Sequence, residues 1–212
     1  MQQDPSDAFA IADILWRLQP DLVIELGTSG GGSAAFYGHV MNEYNPSAKL
    51  LTMDPSDGRL TGTPLVEWNW AEVLVGCGGD CVPSVETRVW RETDIIRYAR
   101  VRPASAEGVA IARAFASRAK KVLVIEDSNH QEAVVAENLA AYHEFVTPGS
   151  YFVVQDTRLG GPARAIDAFL RGDDTCYVRD RRPEYYYITQ HWGGYLYKKR
   201  RCGAAGAAET LE

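Results

Sequence analysis

Residues 21–33 read Asp21-Leu22-Val23-Ile24-Glu25-Leu26-Gly27-Thr28-Ser29-Gly30-Gly31-Gly32-Ser33. A short apolar run carrying one late acidic residue suits a strand buried on both faces of a parallel sheet. The glycines that follow allow a tight turn and the close approach of a ligand to the backbone. On the near side, Phe9, Ile11, Ala12, Leu15, Trp16 and Leu18 fall at helical spacing, with Ser6 as N-cap and Pro20 as terminator. On the far side a helix is predicted from Ser33 through Met41, and a second strand over 48–54. Together these make one β-α-β unit.

Further along, strands are predicted at 98–102, 121–126 and 150–154, and helices at 107–118, 131–145 and 162–170. Segments 185–189 and 194–197 read as a closing β-hairpin. Alternation of this kind specifies a doubly wound, Rossmann-like α/β sandwich with a mostly parallel sheet and a C-terminal antiparallel hairpin. Residues 55–95, rich in tryptophan, glycine and proline, break the rhythm and read as an insertion or cap over the active site, with some helix at 70–75. The expectation is a single domain over 1–202 and a flexible tail over 203–212.

The chain has 212 residues and a net charge of −6, from 22 Lys+Arg against 28 Asp+Glu. That field repels nucleic-acid backbones, so no nucleic-acid partner is expected. The basic residues at 179–182 and 198–201 read as a solvated face and chain end. No apolar run approaches the ~20 residues of a membrane span. Cys77 and Cys81 form a C-x3-C without a second ligand pair, which reads as a loop with incidental thiols. A cytoplasmic protein without membrane association is expected.

The glycine spacing G-x-x-G-G-G-S lacks the dinucleotide register, and Glu25 just before it repels phosphate. A ligand carrying an ammonium or sulfonium charge fits instead, which points to S-adenosylmethionine. Asp54, ending the second strand, suits two ribose hydroxyls. The candidate cofactor residues are Glu25, Gly27, Thr28, Ser29, Gly31, Ser33, Asp54 and Asp127. The second constellation is Val122-Leu-Val-Ile-Glu-Asp-Ser-Asn-His130, facing a later strand that ends Gln155-Asp156-Thr157. Asp127, Asn129, Gln155 and Asp156 offer hard oxygen ligands for Mg2+, and His130 is the candidate general base beside them. Asp127 and His130 are the candidate catalytic residues. The alternative is that both aspartates cap their following segments and His130 is a cleft histidine.

These stretches, with Val146-Thr-Pro-Gly-Ser-Tyr-Phe-Val-Val-Gln-Asp-Thr157 and His191-Trp-Gly-Gly-Tyr-Leu196, resemble the cephalosporin hydroxylase and rhamnosyl O-methyltransferase family. The resemblance implies a class I S-adenosylmethionine-dependent methyltransferase fold, often with Mg2+ and often as a homo-oligomer. It also places Ser105 where a hydroxyl meets the adenine. The chain departs from the family pattern at Asn129 and Gln155, where acidic residues are common, and at Glu132, where related enzymes often carry lysine. The implied activity is O-methylation of a hydroxyl on a small sugar-bearing or aromatic acceptor. A non-catalytic S-adenosylmethionine-binding protein and an N-methyltransferase are the alternatives.

Overall fold

The computed structural model describes residues 3–56, 94–172, 176–186 and 188–200, and the backbone of 65–67 and 87–90. The expected helix at 70–75, most of the expected cap, Cys77, Cys81 and the tail at 203–212 lie outside the described residues.

The decisive stretch folds as predicted. Strand β1 (Leu22–Leu26) is buried along its whole length, helix α2 (Gly32–Tyr44) follows the glycine turn, and β2 (Lys49–Met53) lies parallel to β1. Helix α1 (Pro5–Leu18) starts earlier than expected. Its N-cap is Asp4, whose carboxylate accepts from Ser6 N at 3.2 Å, and Pro5 takes the first turn, where a missing N–H costs nothing. Ser6 is therefore inside the helix. Phe9 and Trp16 are 57% and 53% exposed, so the buried stripe of α1 is Ala8, Ala10, Ile11, Ile14 and Leu15.

Next come β3 (Leu65–Glu67), β4 (Thr87–Trp90), β5 (Ile96–Ala99) and α3 (Ala106–Ala116). They are followed by β6 (Val122–Glu126), α4 (Glu132–Tyr142), β7 (Tyr151–Val154) and α5 (Gly161–Leu170). Strands β8 (Tyr177–Arg179) and β9 (Tyr195–Lys198) close the chain. Among the described residues the sheet runs β3-β4-β5-β2-β1-β6-β7-β9-β8. Its five central strands are parallel, and an antiparallel pair flanks each edge. The pair β3 and β4 is a feature the sequence reading did not foresee.

Two expectations are corrected. The third parallel strand is 96–99, not 98–102, because Leu50 of β2 pairs with Ile96. The partner of β9 is β8, not 185–189: both edges of β9 are occupied, by β7 and β8, and the Ile188 carbonyl accepts from Ser6 Oγ on α1. Cys176, just before β8, is disulfide-bonded, which the cysteine spacing did not suggest.

Strand parity sends side chains to two cores. Leu22, Ile24, Leu26, Val122 and Val124 pack with the layer of α3, α4 and α5, while Val23, Leu50, Leu123 and Ile125 pack with Ile11, Leu15, Tyr37 and Met41 of α1 and α2. Buried on both faces, the central strands can meet a ligand at their ends and not across their faces. The strand order reverses at β1, where such sheets bind small molecules.

Candidate active site

The turn after β1 is locked to its neighbours. Gly27 has φ +107°, and a Cβ there would stand 2.1 Å from the Asp127 carbonyl oxygen, so only glycine fits. Gly27 N donates to Met53 O and Asp127 N to Leu26 O, each at 2.8 Å. The Asp54 carboxylate holds the turn from the β2 side, accepting from Thr28 N at 3.1 Å, Ser29 N at 2.9 Å and Ser56 N at 2.8 Å. Helix α2 then opens behind Gly31 (φ +73°) with no side-chain cap, leaving its first N–H groups for an anionic group such as an amino-acid carboxylate.

Two cavities open along this rim. One, about 540 Å3, is lined by Gly27, Ser29, Asp54, Arg102, Pro103 and Asn129. The other, about 450 Å3, is lined by Gln3, Thr28, Gly32, Ser33, His130 and Asp156. They share Ser29, Asp127 and Ser128 as a common wall. The first has the size and the carboxylate for a nucleoside, and the second adjoins the acidic cluster.

In that cluster, ligand atoms of Asp127, His130 and Asp156 lie within 4.8 Å of one another, and His130 Nε2 is 3.3 Å from Asp156 Oδ2. His130 Nδ1 is buried without a partner among the described residues. Burial and the neighbouring carboxylates of Glu25, Asp156 and Glu126 push the Asp127 carboxyl well above its ordinary range. Burial raises Glu126 as well, although Asn138 Nδ2 and the Ser128 hydroxyl donate to it. Such crowding of negative charge suits a cation, and two carboxylates with an imidazole are a donor set for a divalent metal. Strain concentrates here too. Ser29, His130 and Asp156 are three of the four described non-glycine residues with left-handed backbone, at φ +47°, +60° and +52°.

Of the sequence-predicted site residues, Gly27, Ser29, Asp54, Asp127 and Asn129 line the first cavity, and Thr28, Ser29, Ser33, Asp127, His130 and Asp156 the second. Glu25, Gly31, Ser105 and Gln155 line neither. Glu25 is fully buried beneath the turn and lines neither cavity; Thr52 Oγ1 donates to it at 2.5 Å and lies 2.7 Å from Thr28 Oγ1. Burial raises the Glu25 carboxyl to about 7. Ser105 caps α3, accepting from Gly108 N at 3.1 Å, and lies outside both linings. Asn129 turns its amide oxygen to Gln131 N at 3.1 Å and lines the first cavity but not the second. Gln155 is buried, and its Oε1 meets Gln3 Nε2 at 3.1 Å.

The sequence reading missed Gln3, Asn138 and His191. Gln3 lines the second cavity and receives the Tyr37 hydroxyl at 2.7 Å. His191 is fully buried, held below its ordinary pKa by desolvation, and its Nδ1 accepts from Asp156 N at 2.9 Å. The quoted stretch His191-Trp-Gly-Gly was a signal for it: a Cβ at Gly194 would meet Val154 O at 2.1 Å, so the turn fits tightly against the end of β7.

Comparison with known proteins identifies the family and the fold. A family model described as Rhamnosyl O-methyltransferase/CmcI matches residues 1–63 and 91–199. A rhamnosyl O-methyltransferase of Mycobacterium tuberculosis (strain ATCC 25618 / H37Rv) is 28% identical over 176 residues, covering 77% of this chain and 61% of that protein. One from Mycobacterium leprae is 28% identical over 205 residues, 92% of this chain and 78% of the other. The chain thus spans about three fifths of the length of the tuberculosis relative. Among solved structures, an apo structure of CmcI aligns with a TM-score of 0.62 at 17% identity, over 94% of this chain and 73% of that one. A CmcI structure holding Mg and SAM aligns with a TM-score of 0.56 at 16% identity, over 96% and 74%. At these identities the structural likeness speaks for the fold.

Proposed function

The chain belongs to the rhamnosyl O-methyltransferase/CmcI family, and from that premise we propose that it transfers a methyl group from S-adenosylmethionine to a hydroxyl of a small sugar-bearing or aromatic molecule. The observation that carries this reading is the pair of adjoining cavities. One has a nucleoside-sized volume against Asp54; the other brings Asp127, His130 and Asp156 around an acceptor-sized space.

When bound, S-adenosylmethionine would supply an electrophilic methyl on a sulfonium, a centre whose sulfur can depart with the C–S electron pair. The residues of this chain bind, align and deprotonate. The Asp54 carboxylate faces the ribose, the uncapped start of α2 takes the amino-acid carboxylate, and the shared wall at Ser29, Asp127 and Ser128 sets the approach. The His130 imidazole, which lines the second cavity, takes the acceptor proton, with Asp156 beside its Nε2. Asp127 and Asp156 would hold a divalent cation, whose chemistry is to lower the pKa of a bound hydroxyl. Asn129 and Gln155, whose neutrality favoured a non-catalytic protein, are not needed in this set. Glu25 acts from below, bracing Thr28 through Thr52.

Calorimetry with S-adenosylmethionine, followed by methyl-transfer assays on rhamnosylated phenols and catechols with and without EDTA, tests the reading. Binding without transfer to any acceptor would favour the non-catalytic alternative. Transfer confined to amines, with an optimum following the amine pKa, would favour N-methylation.

The same proposal includes self-association, supported by the exposed aromatic side chains Phe9, Trp16, Tyr185 and Tyr186. Light scattering on the purified protein checks it, a monomer being the contrary result. Among the described residues no helix is long and apolar enough to cross a membrane. A cytoplasmic setting is proposed because the methyl donor is available there. Cell fractionation checks it, with the protein expected alongside cytoplasmic markers and recovery in the membrane or secreted fraction the contrary result.

A further inference from the structure

We infer that His191 is a positioning residue of this site: by accepting the Asp156 backbone N–H on Nδ1, it holds Asp156 in its left-handed turn with the carboxylate facing His130. The inference rests on the reading above and extends it to a residue that lines neither cavity.

The chain of contacts is short. Strand β7 ends at Val154, so the Asp156 N–H has left the ladder and needs another acceptor. It finds His191 Nδ1 at 2.9 Å, 35 residues away in sequence. Asp156 sits at φ +52° and ψ +35°, a left-handed conformation that a non-glycine residue keeps only where neighbours enforce it. From that turn its Oδ2 lies 3.3 Å from His130 Nε2.

His191 is itself fixed on three sides. Its N–H donates to Thr189 Oγ1 at 2.9 Å, and its carbonyl accepts from Gly194 N at 2.8 Å. The Thr189 hydroxyl in turn donates to Asp7 of α1, whose other carboxylate oxygen accepts from Gln190 N at 2.8 Å. Because a backbone N–H can only donate, Nδ1 must be the unprotonated nitrogen and the proton sits on Nε2. That nitrogen lies 3.3 Å from Gln3 Nε2 and 3.7 Å from Asp7 Oδ2. A histidine kept only to fill the core would not need its one acceptor nitrogen matched to the strained residue of the acidic cluster.

The side chains that discriminate are asparagine, leucine and glutamine. In His191→Asn the amide oxygen takes the place of Nδ1 and keeps the acceptor, His191→Leu keeps volume without it, and His191→Gln places its polar end where Nε2 stood. Two readouts are taken on the full chain: hydrogen exchange at the Asp156 amide, and kcat and KM for S-adenosylmethionine. Thermal melting and S-adenosylhomocysteine affinity serve as controls for folding.

The expected result is Asp156 exchange at least tenfold faster in the leucine and glutamine variants, and near wild-type in the asparagine variant. kcat should fall about 100-fold in the first two and recover at least tenfold in the third, with KM for S-adenosylmethionine little changed. Equal exchange at Asp156 in all three variants would overturn the inference, as would a loss of kcat that asparagine does not recover. If the wild-type protein transfers no methyl group, the proposed function fails, and the exchange rates alone decide the role of His191.

Discussion

Glu25 and Thr52 stand opposite each other in neighbouring parallel strands, and the threonine hydroxyl donates to the buried glutamate at 2.5 Å. Burial outweighs that bond and lifts the Glu25 carboxyl from an ordinary value of 4.5 to about 7. The folded protein therefore holds a proton there that the unfolded chain releases. The stabilising contribution of this proton is complete below about pH 4.5 and lost as pH rises to about 7. Glu25→Gln, which cannot ionise, removes that dependence. Urea unfolding at pH 5 and pH 8 should show the variant gaining on the wild type by on the order of 2–3 kcal/mol between the two. Parallel behaviour would mean that Glu25 is already ionised at pH 5.

Gly27 predicts a sharper loss. Its positive φ, and the Asp127 carbonyl oxygen 2.1 Å from where a Cβ would stand, leave alanine no relaxed conformation. Gly27→Ala should cost more than about 2 kcal/mol in chemical denaturation and abolish detectable S-adenosylmethionine binding by calorimetry. Gly30→Ala, where a Cβ meets nothing within 4 Å, should retain wild-type stability within about 0.5–1 kcal/mol.

Asp54 and His130 separate binding from chemistry. Asp54→Ala releases the N–H groups of Thr28, Ser29 and Ser56 together and should weaken S-adenosylmethionine binding at least tenfold. His130→Ala should lower kcat by about 100-fold or more, leaving cofactor affinity within a few-fold of wild type. Equal loss of cofactor affinity in both variants would make the two assignments indistinguishable and therefore wrong.

The acidic pair makes a prediction about metal. Titration of the purified protein with Mn2+ should show one site by calorimetry, weakened at least tenfold in Asp127→Asn and Asp156→Asn and unchanged in Asn129→Ala. Weakening by Asn129→Ala instead would return that residue to the ligand set.

The β1 to β2 unit was legible because every local signal in it agrees: an apolar run, glycines at the turn, helical spacing and a second apolar run. The sites of Asp54, Asp127, His130 and Asp156 followed from the rule that strand carboxyl ends face the ligand. Ser105, a serine before Ala-Glu-Gly, also carries the ordinary signal of a helix start, and its oxygen caps α3 outside both cavity linings. Glu25 could have been placed by parity, since it shares a strand face with Val23 and so points into the layer of α1 and α2. The antiparallel end was not legible: tyrosines 185 to 187 have strand propensity, but the edges of β9 were available only to segments that tertiary packing brings there. His191 was likewise hidden, since its partner lies across the sheet edge and not in the same local stretch.

The partition between the two cavities, made of Ser29, Asp127 and Ser128, is backed by a glycine with no slack against the next strand's turn. Such a bulkhead cannot bow to admit a larger guest. Diversification of the acceptor in descendants of this fold must therefore come from the outer side of the second chamber, around Gln3 and the residues following Asp156, while the donor chamber keeps its shape.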